Sequence, residues 1–487
     1  MKALSCIVAA LRETGQLVLA PEEDLDFTAV TDDSRRVIPG CLFCAIEGTR
    51  QDGHRYVADA AARGAGAALV VRRSDAGIPQ VLVRDSRTAA IVAAAEWFGR
   101  PAAGLDVVAV TGTNGKTTTV SLLRHVLNAS ADVGSIGTLG AFDGAGDPVP
   151  GHGNLTTPGA IELHGALAAL SARGVRTVIM EASSHALDQR RLESLVLRGA
   201  VYTNVTQDHL DYHSTLEAYR DAKAKLSELL GSDSHEVVNA DDPAWRALPR
   251  RAGVRRVTYG RTSGDVQARE VVLRAGGSSA TFVFGGTSSE VKLPLLGDFN
   301  VTNALAAGAT AWALGMTPEA IAGALARAPQ VPGRLERLVS GEFVILRDYC
   351  HTPDALERAI EALRPITPGR LIVLFGAGGD RDRGKRPLMG RAVAERADVA
   401  IVTSDNPRTE DPDSIIDEIE MGMKGRDPIR ITDRRDAIRH AIGMLARGDC
   451  LLLAGKGHET YQEVGTERFP LDERDVVGDL LRERGTP

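Results

Sequence analysis

The chain carries, between residues 107 and 119, the stretch Val107-Val-Ala-Val-Thr-Gly-Thr-Asn-Gly-Lys-Thr-Thr-Thr119. Its first four residues are apolar and mostly β-branched, which predicts a buried strand. After the glycine-containing turn, Val120, Leu123 and Leu127 recur at the spacing of a helix. A strand, a glycine loop and a helix N-terminus in this order form a cradle for anions, because the loop amides and the helix dipole point at phosphate.

The loop also carries the side chains that a nucleoside triphosphate needs. Lys116 would place a cation against the outer phosphates, and the Thr117 hydroxyl would ligate Mg²⁺. The usual pattern, G-x-x-x-x-G-K-[ST], requires glycine at position 110, where this chain has Val110, and the earlier glycine is Gly112 instead. An ordinary strand-turn-helix is the alternative. The position of Gly115 and Lys116 between strand and helix favours a triphosphate site.

Length and composition exclude several classes of protein. A chain of 487 residues is too long for one core and indicates two to four domains. The net charge of -7 and the lack of a long basic run argue against a nucleic-acid partner. Five scattered cysteines indicate a reducing, cytoplasmic location. No apolar run approaches the ~20 residues of a membrane span, and no signal-peptide pattern is present.

Residues 1–103 are expected to form a small α/β domain. Residues 40–46 and 67–71 are typical of strands, and a helix is predicted to begin with Ser86 as its cap. The pair Cys41 and Cys44 is compatible with a zinc or redox role, but two cysteines within an apolar strand are the better interpretation. The polar loops at 31–35 and 51–54 are either turn chemistry or the lip of a ligand site.

A second domain is expected from residue 104 to 332. An apolar strand over residues 175–180 ends on Glu181, and a carboxylate at such a strand end beside a phosphate loop is well placed for Mg²⁺. A solvated surface glutamate is the alternative. An isolated histidine is more often structural, but His209 lies among several acidic and imidazole groups, so a metal ligand is the alternative.

Lys223 is the most informative single residue of this domain. Helical spacing places it on the same face as Leu216, Tyr219, Leu226 and Leu230. A lysine on an apolar stripe usually extends its amine to solvent. The alternative is a desolvated amine of lowered pKa, and a neutral amine can react with carbon dioxide to form an anionic carbamate.

The third domain, expected over residues 333–487, repeats one arrangement four times. Apolar strands precede the polar segments 348–351, 376–382, 405–408 and 455–459. In an open parallel sheet such strand ends converge on one crevice, so a ligand site is expected there. Gly376-Ala-Gly378 is not a dinucleotide fingerprint, because Arg381 occupies the third glycine position. Residues 270–293 predict an antiparallel flap, and residues 329–333 a linker.

Together these motifs closely resemble the Mur ligases of peptidoglycan synthesis along essentially the whole chain. The resemblance rests on the phosphate loop, Glu181-Ala-Ser-Ser-His, Asp208-His-Leu-Asp-Tyr-His, Tyr219-x-x-Ala-Lys223, Asp348-Tyr-x-His-Thr-Pro-Asp354, Gly378-Gly-Asp-Arg-Asp-Arg-Gly-Lys385 and Gly455-Lys-Gly-His-Glu459. It implies a small N-terminal α/β domain, a central ATPase-like domain with a mostly parallel sheet and a C-terminal Rossmann-like α/β domain. Cys350 and Ala377 depart from the residues usual in the family, and both are small.

The resemblance also implies roles for individual residues. The implied catalytic residues are Lys116, Glu181, His209 and carbamylated Lys223, with Thr117, Glu181, His209 and Lys223 holding Mg²⁺. The implied ATP contacts are Gly112, Thr113, Asn114, Gly115, Lys116, Thr117, Thr118, Asn303, Arg334 and Asp348. The implied substrate contacts are Ser34 for the uridine, then Thr156, Thr157, Ser183, Gln189 and Arg191 for the muramoyl dipeptide, and Arg381, Asp405, Asn406, Pro407, Arg408, Gly455 and Glu459 for the amino acid.

The segment Asp405-Asn-Pro-Arg408 matches the family members that select meso-diaminopimelate, because an arginine offers a planar two-donor fork for the distal carboxylate that lysine lacks. The implied activity is ATP-dependent addition of meso-diaminopimelate to UDP-muramoyl-dipeptide by a monomer. A lysine-adding member or a folylpolyglutamate synthetase-like ligase is the nearest alternative. A nucleotide-binding switch without ligase chemistry is the alternative of another class.

Overall fold

The computed structural model describes residues 2–48, 51–150, 153 and 155–484. Its internal contacts divide the chain into two compact units. The first unit contains residues 1–259 with 309–315, and the second contains residues 260–308 with 316–487. Within the described residues, no helix combines the length and apolar character that crossing a membrane requires.

The first unit begins with a five-stranded sheet. Its strands, in spatial order, are Leu17–Leu19, Gln80–Val83, Ala67–Val70, Leu42–Cys44 and Val30–Thr31. All neighbours are parallel except the first pair, which is antiparallel. Helices Leu4–Glu13, Val57–Ala62 and Ser86–Trp97 accompany it, with a short ladder between Lys2–Ala3 and Asp26–Phe27. Cys41 and Cys44 are buried free thiols, and burial raises the pKa of both, as expected of cysteines in an apolar core.

The strand that precedes the phosphate loop lies in the interior of a second, larger sheet. The strands that the first unit contributes are, in spatial order, Gly140–Phe142, Val133–Gly137, Thr177–Glu181, Asp106–Thr111, Leu197–Tyr202, Leu230–Asn239 and Arg255–Gly260. Only the first pair is antiparallel. Val107 to Val110 are at most 1% exposed, and each buried valine contributes on the order of 2 kcal/mol.

The helices of the central region follow the loops that these strands deliver. They are Lys116–Leu127, Ala160–Ala172, Ser184–Asp188, Leu210–His213 and Leu216–Ala224, followed along the chain by Asp298–Ala313 and Pro318–Leu325. Because parallel strands end at one edge of a sheet, the segments after Thr111, Glu181 and Tyr202 reach the same edge. The predicted strand-loop-helix at residues 107–127 is confirmed.

The second unit contains an antiparallel three-stranded segment and a separate six-stranded sheet. The first consists of Val266–Arg274, Gly277–Phe284 and Thr287–Leu293, which confirms the predicted flap. The six-stranded sheet has the order Glu336–Ser340, Val344–Asp348, Cys450–Ala454, Leu371–Phe375, Val399–Val402 and Ile429–Arg430. Apart from the antiparallel first pair, its strands are parallel, so the four polar loops predicted at strand ends share one edge.

Helices and one hairpin complete the second unit. The helices of this sheet are Pro353–Leu363, Lys385–Arg396, Pro412–Glu420, Arg434–Gly443 and Glu473–Glu483. The hairpin pairs Tyr461–Val464 with Glu467–Pro470. Apolar side chains pack on both faces of the sheet, for example Leu452 and Phe375 on one face and Leu451 and Leu453 on the other.

Two local predictions were wrong. The helix that begins at Ser86 is capped by Asp85, whose carboxylate accepts from the Thr88 backbone N–H, because aspartate is an equally good cap one residue earlier. Leu216 is 43% exposed, since the helix that carries Lys223 begins at that residue and the chain has not yet turned into the core.

Candidate active site

Glycine is required twice in the phosphate loop. Gly112 has φ of +149° and Gly115 has φ of +84°, conformations that residues with a Cβ rarely adopt. A Cβ at Gly112 would lie 1.8 Å from the Thr203 hydroxyl oxygen. Val110, by contrast, is an interior strand residue. The departure from the usual loop pattern therefore has a structural reason, because the close approach occurs at position 112.

A neighbouring segment that the sequence did not single out holds the loop in shape. The Thr113 backbone N–H donates to the Asn204 carbonyl at 2.7 Å, and the Asn114 N–H donates to Asn204 Oδ1 at 3.0 Å. The Thr203 hydroxyl donates to the Asn114 carbonyl at 2.7 Å. Both residues follow directly after the strand Leu197–Tyr202, so the rule that parallel strand ends converge would have found them.

Two lysine amines converge on one carbonyl of the loop. Lys116 Nζ donates to the carbonyl oxygens of Gly112 and Thr113, both at 2.9 Å. Lys223 Nζ donates to the same Gly112 oxygen at 2.8 Å. The structure therefore brings two candidate catalytic residues together, although 107 positions separate them in the chain (223 − 116).

Lys223 is a desolvated amine. Its side chain is 1% exposed, and its Nζ lies 4.2 Å from the centre of the Tyr219 ring. Burial holds the pKa of Lys223 well below its ordinary value, and the nearby charge of Lys116 lowers it further against a smaller opposing effect of Asp208. Of the two interpretations of this lysine, the structure supports the buried amine and excludes a side chain that extends into solvent.

Oxygen ligands suitable for a hard cation lie beside the loop. The Thr117 hydroxyl donates to Glu181 Oε2 at 3.1 Å, and both side chains are buried. Thr138, which the sequence did not reveal, donates to Glu181 from its backbone N–H at 2.7 Å and from its hydroxyl at 3.2 Å. A hydroxyl and a carboxylate facing each other in this way match the ligands that Mg²⁺ prefers.

The residues predicted for the muramoyl dipeptide form one hydrogen-bonded network. The Thr157 hydroxyl donates to the Glu181 carbonyl at 2.9 Å and accepts from the Ser183 N–H at 2.9 Å. Arg191 donates to the Thr157 carbonyl at 2.7 Å and to Gln189 Oε1 at 2.7 Å. The Thr156 hydroxyl oxygen lies 3.2 Å from that of Thr138, which links this network to Glu181.

His209 lies in a group of rings close to this network. It adopts a left-handed φ of +54°, and its ring centre is 4.8 Å from that of His185 and 6.0 Å from that of Tyr219. Tyr219 also contacts Lys223, so His209 and Lys223 have a common neighbour. The structure thus brings His209 to the region of Lys223.

A cavity of about 480 Å³ in the first unit joins the N-terminal sheet to this network. Its lining comprises Asp32, Ile46, Gly48, Gln51, Arg87, Ile91, Leu155, Gly159, Ala160, Gln189 and Arg191. Asp32 and Gln51 come from the two polar loops, residues 31–35 and 51–54. This supports the interpretation that these loops border a ligand site and are not only turns. Ser34 is buried in the turn Ser34–Arg36, and it is Asp32, two residues earlier, that lines the cavity.

In the second unit, Arg334, Asp348 and Tyr349 come together. The Arg334 guanidinium lies 5.0 Å from the centre of the Tyr349 ring, and Asp348 Oδ2 accepts from the Leu335 N–H at 2.6 Å. Burial raises the pKa of Asp348 against the opposing charge of Arg334. Asn303 is buried in its helix and donates to Asn300 Oδ1 at 3.1 Å.

The loops predicted to receive the amino acid are packed on one another. The Gly379 N–H donates to the Asn406 carbonyl at 2.9 Å, and a Cβ at Gly379 would lie 1.8 Å from the Pro407 oxygen. Arg408 Nη1 donates to the Gly379 carbonyl at 2.9 Å. A Cβ at Gly378 would meet both Arg408 Nη1 at 3.0 Å and Arg381 Cγ at 3.7 Å. Two guanidinium-bearing residues therefore flank one glycine.

The remaining predicted residues of this site are joined through amide and carboxylate groups. Asn406 Nδ2 donates to Glu459 Oε2 at 2.9 Å, and the Asn406 N–H donates to Asp405 Oδ1 at 2.7 Å. Gly455 has a φ of +115°, and a Cβ there would lie 2.5 Å from Asp405 Oδ2, so both the backbone and the close approach favour glycine. Although burial alone would raise the pKa of Asp405, the charges of Lys456 and Arg434 lower it overall.

Comparison with known proteins identifies the family. Three family models match the chain: Mur ligase family, catalytic domain, at residues 26–103; Mur ligase middle domain, at 110–311; and Mur ligase, glutamate ligase domain, at 333–457. The chain is 43% identical over 471 residues to the UDP-N-acetylmuramoyl-L-alanyl-D-glutamate–2,6-diaminopimelate ligase of Geobacillus kaustophilus, covering 94% of this chain and 96% of that relative. The chain belongs to the Mur ligase family.

Solved structures of Mur ligases have the same fold. A UDP-N-acetylmuramoyl-L-alanyl-D-glutamate–2,6-diaminopimelate ligase matches with a TM-score of 0.64 at 33% identity, covering 94% of this chain and 95% of that one. MurF from Acinetobacter baumannii matches with a TM-score of 0.68 at 23% identity, covering 98% of both chains, and supports the fold alone. The predicted α/β class of a three-domain Mur ligase is confirmed.

Three further residues of this Mur ligase hold the second unit's loops and were not predicted. Lys456 is fully buried, and its Nζ donates to Asn406 Oδ1 at 3.0 Å and to Glu459 at 3.1 Å. Arg386 is also fully buried and donates to Glu410, Glu418 and the Gly378 carbonyl. Glu463 accepts from Arg408. Apart from the bond between Lys456 and Glu459, which are three positions apart, these contacts join segments that are distant in the chain, so sequence spacing gave no signal for them.

Proposed function

We propose that this Mur ligase uses ATP to join meso-2,6-diaminopimelate to the D-Glu side-chain carboxylate of UDP-N-acetylmuramoyl-L-Ala-D-Glu, a step of peptidoglycan synthesis. The observation that carries the proposal is Arg408. It lies beside Gly378 and Gly379 in the predicted amino-acid site, in a chain 43% identical over 94% of its length to a ligase named for diaminopimelate.

ATP is assigned to the phosphate loop of the first unit. The helix Lys116–Leu127 begins directly after Gly115, and the dipole at its N-terminus would stabilise the outer phosphates there. Lys116 supplies a positive charge to the group that is transferred. Thr117 and Glu181 would hold Mg²⁺, which when bound neutralises charge on the phosphate oxygens.

Lys223 is assigned as the residue that becomes a carbamate. Its neutral amine attacks the carbon of carbon dioxide, a C–N bond forms, one C=O bond pair moves onto oxygen, and the nitrogen loses a proton to solvent. The product is an anion where a cation would otherwise stand. The desolvation that lowers the pKa of Lys223 makes this reaction possible near neutral pH. With His209, the carbamate would provide ligands for a second Mg²⁺.

The acyl donor is activated before the amide forms. A carboxylate is a poor acyl donor, so the γ-phosphoryl group passes to the D-Glu carboxylate and gives an acyl phosphate. Thr157, Ser183, Gln189 and Arg191 form the network that would orient this carboxylate. The diaminopimelate amine then attacks the carbonyl carbon, a proton is lost from nitrogen, and phosphate leaves from the tetrahedral intermediate.

The 480 Å³ cavity is assigned to the UDP-muramoyl part of the substrate. Arg87 lines it and would supply positive charge for the diphosphate. Gln51 and Asp32 supply hydrogen-bonding groups from the two N-terminal loops. We now place the uridine closer to Asp32 than to Ser34, since it is Asp32 that faces the cavity.

The second unit is assigned contacts to the nucleotide and the site for the amino acid. Asn303, Arg334 and Asp348 would contact the nucleotide. Arg381 and Arg408 flank Gly378 and would bind carboxylates of diaminopimelate, while Asp405, Asn406, Pro407, Gly455 and Glu459 shape the pocket and bind its amine. The domain boundaries at 103 and 332, the monomeric state and the cytoplasmic location remain predictions.

The decisive assay is phosphate release from ATP. It is expected to require both UDP-muramoyl-dipeptide and diaminopimelate, with lysine a much poorer acceptor. Arg408→Ala is expected to raise the KM for diaminopimelate by about 100-fold, while the KM for ATP changes little, because a charge-assisted contact to the distal carboxylate is lost. Equal use of lysine by the wild type, or equal losses for both substrates in the variant, would contradict the assignment.

The same assay tests the alternatives. A nucleotide-binding switch would hydrolyse or retain ATP without either acceptor. A folylpolyglutamate synthetase-like ligase would not need the uridine nucleotide. Full-length similarity to diaminopimelate-adding ligases and the presence of Arg408 both argue against these alternatives.

A further inference from the structure

A short hairpin packs against the segment that carries Arg408. It consists of Tyr461–Val464 and Glu467–Pro470, beyond residue 457, where the match to the family's C-terminal domain ends. The Arg408 N–H donates to the Glu463 carbonyl at 3.1 Å, and the Gly465 N–H donates to the Arg408 carbonyl at 2.7 Å. The backbone of Arg408 is thus held on the hairpin by a parallel bridge to Val464.

The side chain of Glu463 continues this contact. Its Oε2 accepts from Arg408 Nε at 2.9 Å, and its Oε1 accepts from Nε and Nη2 of Arg468 at 3.0 and 2.9 Å. Its backbone N–H donates to Asn406 Oδ1 at 2.9 Å. The side chains of Arg408 and Glu463 are 22% and 21% exposed, so the pair is mostly shielded from solvent.

Arg408 is therefore fixed at two points of its guanidinium plane. Nε is held by Glu463, and Nη1 is held by the Gly379 carbonyl at 2.9 Å. Its backbone has a φ of +52°, a left-handed conformation that costs a non-glycine residue free energy and that the surrounding contacts must maintain. A planar group held at two edges has one orientation, and Nη2 then points in a fixed direction.

We propose that Glu463 is a positioning residue that sets the orientation of the Arg408 guanidinium and thereby the preference for an amino acid with a distal carboxylate. The inference rests on the proposed function of Arg408. It adds that the hairpin is part of the specificity site, with Glu463 acting through Arg408 and Arg468 holding Glu463 from the other side.

The charge state of Glu463 is consistent with this role. Burial alone would raise the pKa of Glu463, but hydrogen bonding to Arg468 and the charges of Arg408 and Arg468 lower it overall. The carboxylate is thus ionised across the neutral range and can hold both guanidinium groups. The neighbouring Tyr461 ring lies 4.2 Å from the Arg468 guanidinium and limits its movement.

The test measures the kinetics of full-length variants with diaminopimelate, lysine and ATP. Glu463→Ala is expected to raise the KM for diaminopimelate about tenfold, with kcat and the KM for ATP within about twofold of wild type. Glu463→Gln keeps a hydrogen-bond acceptor and is expected to rescue most of the loss. Glu467→Ala, an exposed glutamate of the same hairpin, is the matched control and should match the wild type.

A double-mutant cycle separates positioning from general stability. Because Glu463 acts through Arg408, the Glu463→Ala change should have no further effect on the KM for diaminopimelate in an Arg408→Ala background. Additive losses in the cycle, an unchanged KM in Glu463→Ala, or equal losses for kcat and all substrates would overturn the inference. Diaminopimelate-dependent phosphate release by the wild type would leave the proposed function standing in each of those cases.

Discussion

Two lysines of this protein, Lys223 and Lys456, are almost completely buried, but they differ in whether a carboxylate lies beside the amine. Lys223, in the first unit, is 1% exposed, and its Nζ donates to the Gly112 carbonyl. Lys456, in the second unit, is fully buried but donates to the Glu459 carboxylate at 3.1 Å and to Asn406 Oδ1 at 3.0 Å. Among the described side chains, Lys223 forms no such ion pair with a carboxylate.

The difference distinguishes the lysine that we propose to be reactive from a lysine that holds a neighbouring carboxylate in place. A buried cation without a counterion loses its hydration and gains little in return, so the neutral amine is favoured. A buried cation with a carboxylate holds that carboxylate in place. Buried cations paired with carboxylates recur in the second unit. Arg386 pairs with Glu410 and Glu418, and Arg434 pairs with Glu473.

The largest expected effect is on activity at Lys223. Lys223→Met should reduce kcat by roughly 1000-fold, because the anion that its carbamate would supply to the metal centre is lost. The variant should fold normally, since methionine fills the space without a desolvated amine. Rates of phosphate release and circular dichroism check both parts. Lys225→Met, which changes a half-exposed lysine nearby, is the control and should remain active.

At Lys456 we expect a loss of stability in addition to a loss of acceptor binding. Lys456→Met leaves the Glu459 carboxylate in its mostly buried site without a cation and should lower the free energy of unfolding by about 3 kcal/mol. Denaturant titration measures this. If Lys456→Met were as stable as wild type while Lys223→Met were destabilised, the comparison between the two lysines would be reversed.

A smaller effect is expected in acid, at the paired charges of the second unit. Hydrogen bonding to Arg386 lowers the pKa of Glu410 from 4.5 to about 2. The unfolded chain therefore binds a proton before the folded one, so this stabilisation is complete above pH 4.5 and is lost as the pH falls towards 2. We expect about 1 kcal/mol, given partial solvent screening.

The variant Glu410→Gln, which lacks the carboxylate, tests whether Glu410 is the source of the stability lost between pH 4.5 and about 2. Its unfolding free energy should lie below that of wild type at pH 6, and the two should converge in the acid range as Glu410 of the wild type is protonated. Denaturation curves recorded at several pH values test this. A constant difference between the two proteins at every pH would show that the ion pair is not responsible.

The smallest expected effect concerns the ring beside Lys223. Tyr219→Phe removes the hydroxyl group, which bonds to Thr113, but keeps the aromatic face against the amine. Because the desolvation of Lys223 is unchanged, kcat should stay within about threefold of wild type. A loss as large as that of Lys223→Met would mean that the hydroxyl, and not the buried amine, is the important group.

The sequence predicted those parts of the molecule that depend on local pattern. The strand and helix around Gly112 to Thr117, and the parallel strands that end at Asp348, Phe375 and Ala454, follow from apolar runs and glycine-rich turns. Family resemblance supplied the functional meaning of those segments. The burial of Lys223 was one of two open alternatives, since periodicity alone does not show whether an amine reaches solvent.

The contacts that hold the sites together were not predictable in this way. Thr138, which follows one strand, donates to Glu181 at the end of the neighbouring strand. Glu463 accepts from Arg408, which is 55 positions away in the chain. Such pairs depend on strand order and loop packing, which a local pattern does not encode. Leu216 was placed on the buried face for the same reason, because spacing gives a face but not the point at which a helix enters the core.

The central claim, that Lys223 is a neutral amine which captures carbon dioxide whereas Lys456 is a paired cation, has a direct test. Carbon-13 NMR of the enzyme equilibrated with labelled bicarbonate should show a carbamate resonance in the wild type and in Lys456→Met, and none in Lys223→Met. A resonance that persists in Lys223→Met, or is absent from the wild type, would contradict the account.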